Sequence, residues 1–281
     1  MHDDETARDS AAEPKGTAGE LRVDRYVGDR DLTRWYTPVG RGAANVARRV
    51  GAQFGPNAAL IITLLVGMAI AIILSILAVQ IYDAVTDSDG VAGFDRPLLA
   101  AAIGLRSPVA DVLATGYTDI AGPIGMPILA VAWLLVLSIR RRSWTPAILI
   151  AAAGSGSLLM TIAGKQLIGR TRPPLVDAVP PFEYSPSFPS GHSLNAVVIA
   201  GVVAYLLILR QRRVRVRVVI VTVATVFALT IGISRVFLGH HWFTDVLAAW
   251  ALGAAWLALV VTAHRLYLTA RKRVDLPVAP L

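Results

Sequence analysis

The sequence predicts an all-α membrane protein, built as a bundle of about six transmembrane helices. One observation is composition: hydrophobic residues make up 55% of the 281 residues and charged residues only 16%, whereas about 25% of a soluble domain is charged. The other is the distribution of apolar residues, which gather in runs long enough to cross ~30 Å of hydrocarbon. The mean hydropathy of +0.59 agrees with both observations.

The predicted spans are apolar runs separated by short polar or basic segments. They cover residues 57–81, 120–139, 146–164, 190–209, 218–237 and 241–266. Between the first two runs, the segment 83–119 is too polar to span but is amphipathic, so we expect one or two short interfacial helices there. Residues 57–268 therefore form one predicted membrane domain.

The two ends of the chain differ from this domain. Residues 1–56 contain no long apolar run and open with the polar stretch MHDDETARDSAAEPKGTAGE, which predicts a partly disordered cytoplasmic tail. The second half of this tail mixes arginines with Trp35, Tyr36 and Phe54, which is typical of a segment lying on an anionic membrane surface. A solvated linker has a similar composition, so both interpretations stay open. Residues 269–281 form a short basic tail.

The basic residues indicate how the bundle is oriented. The chain has a formal net charge of +8, and clusters of basic residues at 140–142, 210–217 and 264–273 all fall on one side of a six-span model. Because such clusters stay in the cytoplasm, we expect both termini there, in a plasma or inner membrane, and the loops 165–190 and 234–241 on the extracytoplasmic side. Because the basic residues lie in short clusters between apolar runs, they indicate the orientation of a membrane protein and not the binding of a nucleic acid.

The loop at 165–190 begins with two cations. Lys165 and Arg172 are seven residues apart, so they share a face if the third helix continues to Pro173. Arg170 projects elsewhere in that geometry and is left out of the predicted site. A single basic residue at a helix end usually anchors the helix among lipid headgroups. This pair, however, lies on the side where positive charge is otherwise sparse, which indicates an anion site.

A helix start follows in the stretch SFPSGHSLNAVVIAG. Ser190 is a favoured N-cap, so the backbone N–H groups of Ser190, Gly191 and His192 would form an anion-binding helix end. Gly191 lets a ligand approach the backbone closely. Two cations and a helix N-terminus favour an anion with several oxygens, such as phosphate. A capped helix with an interfacial histidine is the alternative explanation.

The third piece is GISRVFLGHHWFTDVLAAW, in which Arg235 precedes a pair of histidines. His241 and Asp245 are four residues apart, so on a helix the carboxylate accepts the Nδ1–H of the ring. His240 is five residues away and misses that face. A histidine held in this way presents Nε2 as a base, a metal ligand or a nucleophile. A zinc site needs about three protein ligands, and the chain has no cysteine and no HExxH pattern, so a metal is the weaker alternative.

These three pieces resemble the signature motifs of the type 2 phosphatidic acid phosphatase (PAP2) superfamily, which are K-x6-RP, PSGH and SR-x5-H-x3-D. The stretches KQLIGRTRP, PSGH and SRVFLGHHWFTD match every signature position and occur in the same order. The resemblance implies an integral membrane lipid phosphatase that uses no cofactor and no metal. It covers about residues 94–266, and the tail before residue 57 lies outside it.

The resemblance also implies roles for individual residues. It implies that His241 is the nucleophile that forms a phosphohistidine, that Asp245 orients His241, and that His192 protonates the leaving oxygen. The residues implied to bind the phosphoryl oxygens are Lys165, Arg172, Ser190, Gly191 and Arg235. Charge in the transition state of phosphoryl transfer lies on the equatorial oxygens, so cations and helix-end amides can stabilise it without a metal.

The substrate is expected to be a phosphate carried on a lipid, because the site lies at the boundary of membrane and water. Members of the family act on polyprenyl diphosphates, phosphatidylglycerol phosphate, phosphatidate, sphingoid phosphates or sugar phosphates. An outward-facing site suits recycling of a cell-wall carrier lipid, which favours polyprenyl diphosphate. Two alternatives stay open: a non-enzymatic scaffold or transporter, which has no need for paired histidines, and a vanadium-dependent haloperoxidase, a soluble enzyme class with similar motifs.

Overall fold

The computed structural model describes residues 16–85 and 91–271, and this part of the chain is mostly helical. The helices are α1 (Gly16–Gly19), α2 (Pro38–Phe54), α3 (Pro56–Val85), α4 (Asp95–Gly104), α5 (Pro108–Asp119), α6 (Gly125–Arg141), α7 (Thr145–Ile168), α8 (Gly191–Ile208), α9 (Val214–Phe237) and α10 (Phe243–Arg271). A π-helical turn, Glu20–Asp24, follows α1, and 3-10 turns lie at Val91–Phe94 and Leu175–Asp177. Strands β1 (Tyr26–Val27) and β2 (Arg30–Asp31) pair antiparallel in a small hairpin.

Four of the described helices, α7 to α10, are long and apolar enough to cross a membrane. Helix α3 has 30 residues, and its segment Pro56–Ile70 is apolar. Helix α6 has 17 residues, which is about 26 Å at 1.5 Å per residue and slightly short of the hydrocarbon thickness. The chain is thus a helical membrane protein, and the count of six spans stays a prediction.

The second predicted span, 120–139, begins too early. Helix α6 starts at Gly125, because the preceding residues form a turn in which the N–H groups of Ala121 and Gly122 donate to the carbonyls of Thr118 and Asp119, both at 3.0 Å. Pro123 lies in this turn and disfavours helical backbone at the residue before it. The segment is apolar without being helical, so hydropathy alone could not place the boundary.

Helix α8 lies at the centre of the bundle and packs against α7, α9 and α10. Leu194, Val198 and Val202, spaced one turn apart, are fully buried. A helix that is apolar all round is expected where its neighbours cover every side. Across the bundle, the indole Nε1 of Trp256 on α10 donates to the carbonyl of Ala153 on α7 at 3.2 Å. The buried indole N–H therefore has a partner, and α10 and α7 are held together.

Two short helices, α4 and α5, fill the segment predicted to hold interfacial helices. They have 10 and 12 residues, too few to cross a bilayer. Helix α5 begins with Pro108 after Ser107, whose hydroxyl accepts the N–H of Ala110 at 3.2 Å, a regular N-cap. Both helices pack against α9, and Asp95 at the start of α4 is buried. They therefore form a cap over the end of the bundle that carries the site.

The N-terminal segment is folded against the opposite end of the bundle. Helix α2 packs on α10 and buries a stripe of small residues, Gly40, Ala44, Ala47 and Gly51. An added Cβ at Gly51 would lie 2.9 Å from the Cβ of Ala270, so the two helices meet closely there. Of the predicted tails, residues 1–15 and 272–281 lie outside the described part of the chain.

Two buried carboxylates anchor this N-terminal segment. Glu20 accepts hydrogen bonds from Thr145 at 2.6 Å and Tyr267 at 3.1 Å, and it pairs with Arg271. Asp24 pairs with Arg210 at 2.8 Å. A buried charge is costly unless it is paired, so these contacts fix the segment in one position.

Candidate active site

The three predicted motif segments come together at one end of α7, α8, α9 and α10. They surround a cavity of about 950 Å³, to which Lys165, Gly191, His192 and His241 all contribute. The segment 169–190, which joins α7 to α8 and contains only one short 3-10 turn, supplies a further part of the wall through Glu183 and its neighbours. The sequence spacing thus identified residues that the fold brings to a single site.

His241 lies just before α10, and Asp245 is in the first turn of that helix. The expected shared helical face does not exist, because α10 begins at Phe243. The two side chains still meet, with Nδ1 of His241 3.7 Å from Oδ2 of Asp245. Ser187 stands between them: its hydroxyl donates to Oδ2 of Asp245 at 2.5 Å and lies 3.4 Å from Nδ1 of His241. The carboxylate therefore orients the ring largely through a serine that the motif analysis did not identify.

The surroundings of His241 favour its neutral form. Burial lowers the pKa of His241 to about 4; Arg235 and Arg172 act in the same direction, and Asp245 opposes them. Nη1 of Arg172 lies 3.2 Å from Nε2 of His241. Because a guanidinium can only donate, Nε2 carries the lone pair and Nδ1 carries the proton. This is the tautomer that a nucleophile attacking through Nε2 requires.

Lys165 and Arg172 converge, although not for the reason expected. Helix α7 ends at Ile168, and Gly169 closes it in the left-handed region with φ of 60°, so no continuous helix reaches Pro173. Instead, both side chains bind the same residue of the loop, Ser185. Lys165 Nζ donates to the Ser185 hydroxyl at 2.9 Å, and Arg172 Nε donates to the carbonyl of that residue at 2.6 Å. Ser185 therefore holds the two cations side by side, one through its hydroxyl and the other through its carbonyl.

Arg235 is the most deeply buried of the three predicted phosphate-binding cations. Its side chain is only 2% exposed, and it pairs with Glu183. Arg172 pairs with the other oxygen of the same carboxylate at 2.8 Å. These two arginines lower the pKa of Glu183 to about 2 although burial opposes them, so this carboxylate is ionised at physiological pH. Sequence reasoning missed Glu183, because it belongs to none of the motifs and lies in an irregular loop.

The start of α8 has the predicted cap. Ser190 precedes the helix, which begins at Gly191, and its hydroxyl accepts the N–H of Ser193 at 3.4 Å. Ser190 is fully buried, and its own N–H points to the carbonyl of Asp245 at 3.4 Å. Gly191 and His192 line the cavity, whereas Ser190 supports them from behind. A Cβ added at Gly122 would lie 3.2 Å from Nε2 of His192, so this turn borders the ring.

The expectation that Arg170 projects away from the site was wrong. Its guanidinium donates to Asp245 Oδ1 at 2.5 Å and to the Thr244 hydroxyl at 2.7 Å, and it pairs with Asp95 at 2.8 Å. Arg170 therefore fixes the orienting carboxylate from the side opposite Ser187. His240, expected to miss the face of Asp245, binds the carbonyl of Val179 through Nε2 at 2.7 Å.

The fold and the site together define a class: a helical membrane protein in which two histidines and a lysine line a cavity at the end of the bundle, with two arginines in contact with its walls. Residues 145–267 match the family model of the PAP2 superfamily. Phosphatidylglycerophosphatase B of Bacillus subtilis is 32% identical over 174 residues, which are 62% of this chain and 84% of that protein. The crystal structure of a transmembrane PAP2 type phosphatidylglycerolphosphate phosphatase from the same organism aligns with a TM-score of 0.58 and 28% identity, over 69% of this chain and 92% of that one.

The chain belongs to the PAP2 superfamily. It is a membrane enzyme, a phosphatase that hydrolyses lipid phosphates.

Proposed function

We propose that this phosphatase transfers the phosphoryl group of a lipid to His241 and then to water, without a metal, at the extracytoplasmic face of the membrane. One observation carries the proposal. The cavity that His241 and His192 line at one end continues as an apolar groove between α6 and α7. A lipid phosphate has the same two parts, an anionic head and an apolar chain.

The groove is long enough for a lipid chain. It follows α7 from Lys165 to Ile150, which is about 22 Å at 1.5 Å per residue. Its walls beyond the histidines are mostly aliphatic and include Leu134, Ala130 and Leu158. Apolar walls of this length stabilise a chain by removing it from contact with water and headgroups. A soluble sugar phosphate would leave this groove without a ligand, which favours a lipid substrate.

The anionic head fits among the cations. Lys165, Arg172 and Arg235 supply positive charge, and the first turn of α8 adds backbone N–H groups and the positive end of its dipole. Charge in the transition state of phosphoryl transfer lies on the equatorial oxygens, so donors fixed before the reaction stabilise it strongly. In this proposal Gly191 provides close access to the backbone, and Ser190 holds the helix start in place.

The chemistry proceeds in two steps. In the first, Nε2 of neutral His241 attacks phosphorus, the bond from phosphorus to the lipid oxygen breaks, and protonated His192 gives its proton to that oxygen. In the second, water attacks the phosphorus of the phosphohistidine, the bond from phosphorus to Nε2 of His241 breaks, His192 takes a proton from the water, and inorganic phosphate leaves. Asp245 stabilises the positive charge on the His241 ring, and Ser187 and Arg170 hold Asp245 in position.

Among lipid phosphates, we put phosphatidylglycerol phosphate first. The support is the likeness to the Bacillus subtilis protein, whose name states that activity. Polyprenyl diphosphate, which the orientation of the site favours, is the second candidate. Phosphate release by purified protein from both lipids and from phosphatidate, with a His241→Ala control, distinguishes these substrates. We expect release in EDTA and inhibition by vanadate; no release from any lipid, or activity only after added metal, would contradict the proposal.

The proposed orientation has its own test, since the chain contains no native cysteine. Val176, which is 91% exposed, lies in the loop before α8, and Arg213 lies in the turn between α8 and α9. We expect a single cysteine at Val176 to react with a membrane-impermeant thiol reagent in intact cells, and one at Arg213 to react only after lysis. The opposite pattern would place the site in the cytoplasm.

A further inference from the structure

Glu183 occupies a position that the proposed chemistry does not explain. Its two carboxylate oxygens pair with Arg172, at 2.8 Å, and with Arg235. Both arginines are assigned to the substrate phosphate, and a fixed negative charge beside them would repel that phosphate. The position of the Glu183 carboxylate between these arginines therefore needs an explanation.

The arrangement resembles an occupied anion site. The carboxylate spans two guanidinium groups, as a phosphoryl group would, and it lines the same cavity as His241. Its side chain is 31% exposed, whereas the side chains of Arg172 and Arg235 are 8% and 2% exposed. The carboxylate is thus the most accessible of the three groups, and it can leave by rotating toward the open side of the cavity while the arginines stay in place.

One buried N–H of Arg235 has no acceptor among the described residues, and the carboxylate of Glu183 does not provide one. Nε of Arg235 is buried and makes no hydrogen bond within residues 16–85 and 91–271. An unsatisfied buried donor costs free energy. A carboxylate has two oxygens and both already face a guanidinium, whereas a phosphoryl group has a third oxygen that can accept this N–H. Phosphate also carries a charge of about −2 at pH 7, against −1 for the carboxylate.

We propose that Glu183 is a positioning residue that holds Arg172 and Arg235 as a pair in the empty enzyme, is displaced by the substrate phosphate, and returns to help expel inorganic phosphate. The inference rests on the proposed phosphate site. In the empty state the carboxylate prevents two cations from lying unpaired in a largely buried site, which would be strongly destabilising. After hydrolysis it competes with the product for the same donors.

Glu183→Gln tests the inference, because it keeps the size of the side chain and removes its charge. We expect vanadate and inorganic phosphate to inhibit this variant at concentrations lower by about tenfold or more, as close charges in a shielded site couple strongly. We also expect KM and kcat to fall together, with phosphate release becoming rate-limiting. A residue that only stabilises the loop would not lower the inhibition constant for vanadate.

Asp177→Asn is the matched control. It removes one negative charge from the same loop, but Asp177 does not line the cavity, and its backbone carbonyl, which accepts from Arg106 at 2.8 Å, is kept. This variant should bind vanadate as the wild type does. If Glu183→Gln cannot be purified, Glu183→Asp is the second variant. Its side chain is shorter by one methylene, so the carboxylate lies farther from the arginines, and this variant should also bind vanadate more tightly.

Vanadate binding that is unchanged or weaker in the Glu183 variant, with the control normal, would overturn the inference. Failure of the proposed function looks different. In that case the wild-type protein itself would show no inhibition by vanadate and no release of phosphate from any lipid.

Discussion

Replacing His241 with alanine is expected to reduce turnover to background on every substrate, by on the order of 10⁵–10⁶. His241 is buried with its neutral Nε2 directed to the cation cluster, and in the proposed mechanism it forms the covalent bond to phosphorus. No change of leaving group can compensate for a missing nucleophile. The loss should therefore be as large with p-nitrophenyl phosphate, whose leaving group is activated, as with a lipid alcohol.

The measurement is a single-turnover experiment with labelled substrate, stopped in alkali, in which a phosphohistidine survives. The wild type should retain label on the protein, and His241→Ala should retain none. Vanadate binding by the variant serves as the control for an intact site, since the cations remain. Label on the His241→Ala protein would assign the nucleophile to another residue.

The pH dependence of phosphoenzyme formation follows from the same geometry. The pKa of His241 is lowered to about 4, against ~6.5 for an unperturbed histidine. The neutral, reactive form is therefore present at higher pH and is lost as pH falls through about 4. With an activated ester, the acid limit of intermediate formation should lie near pH 4 rather than near pH 6.5.

Asp245→Asn should lose less activity than His241→Ala. The amide keeps an oxygen that can accept the hydroxyl of Ser187 and the N–H of Trp242, which binds Asp245 Oδ2 at 2.9 Å. It loses the charge that stabilises the imidazolium and that pairs with Arg170. A partial loss, up to about 10⁴-fold, is expected.

The motifs predicted which residues meet, because catalytic groups are fixed in type and spacing by the chemistry they perform. Lys165, Arg172, His192, Arg235 and His241 all converge at one end of the bundle. The predicted local reason was wrong for two of them. Gly169 ends the helix before Arg172, and α10 begins after His241, so loop contacts and not helical faces bring these groups together.

The residues that were missed share a physical feature: their partners are distant in sequence or lie in irregular backbone. Arg170 pairs with Asp95 and Asp245, each 75 residues away. Glu183 and Ser187 lie in a loop whose backbone has no period, so no pattern of spacing predicts where their side chains point. Tertiary contacts decide these positions, and one sequence carries little information about them.

Hydropathy predicted the helices better than their ends. The turn before α6 is apolar and was assigned to a span, although Pro123 and its neighbours form a turn. At the other end of the bundle, Glu20 and Asp24 belong to the segment predicted as a polar tail. Both are buried, and their partners lie more than a hundred positions away in the sequence. Polar composition indicates exposure on average, but a carboxylate that finds cationic partners is an exception.

Replacing His192 with alanine is expected to have the second largest effect, and the effect should depend on the leaving group. His192 lines the cavity on the first turn of α8, where the proposed mechanism places the lipid oxygen. A lipid alkoxide is a poor leaving group without a proton, so the variant should lose about 10²–10⁴ in the rate of the first step, the usual contribution of a general acid. A p-nitrophenolate leaves without a proton, so intermediate formation from that ester should be nearly normal.

This difference separates His192 from every phosphate-binding residue. Loss of Lys165 or Arg172 weakens charge stabilisation for both substrates alike, whereas loss of a general acid is selective. With p-nitrophenyl phosphate, His192→Ala should form the phosphohistidine and then accumulate it, because hydrolysis of the intermediate needs the same group as a base. The decisive comparison is the rate of label capture by His192→Ala and Lys165→Ala on the two substrates. An equal loss on both substrates for His192→Ala would make this histidine a phosphate ligand, and the proton for the leaving oxygen would then have to come from another donor.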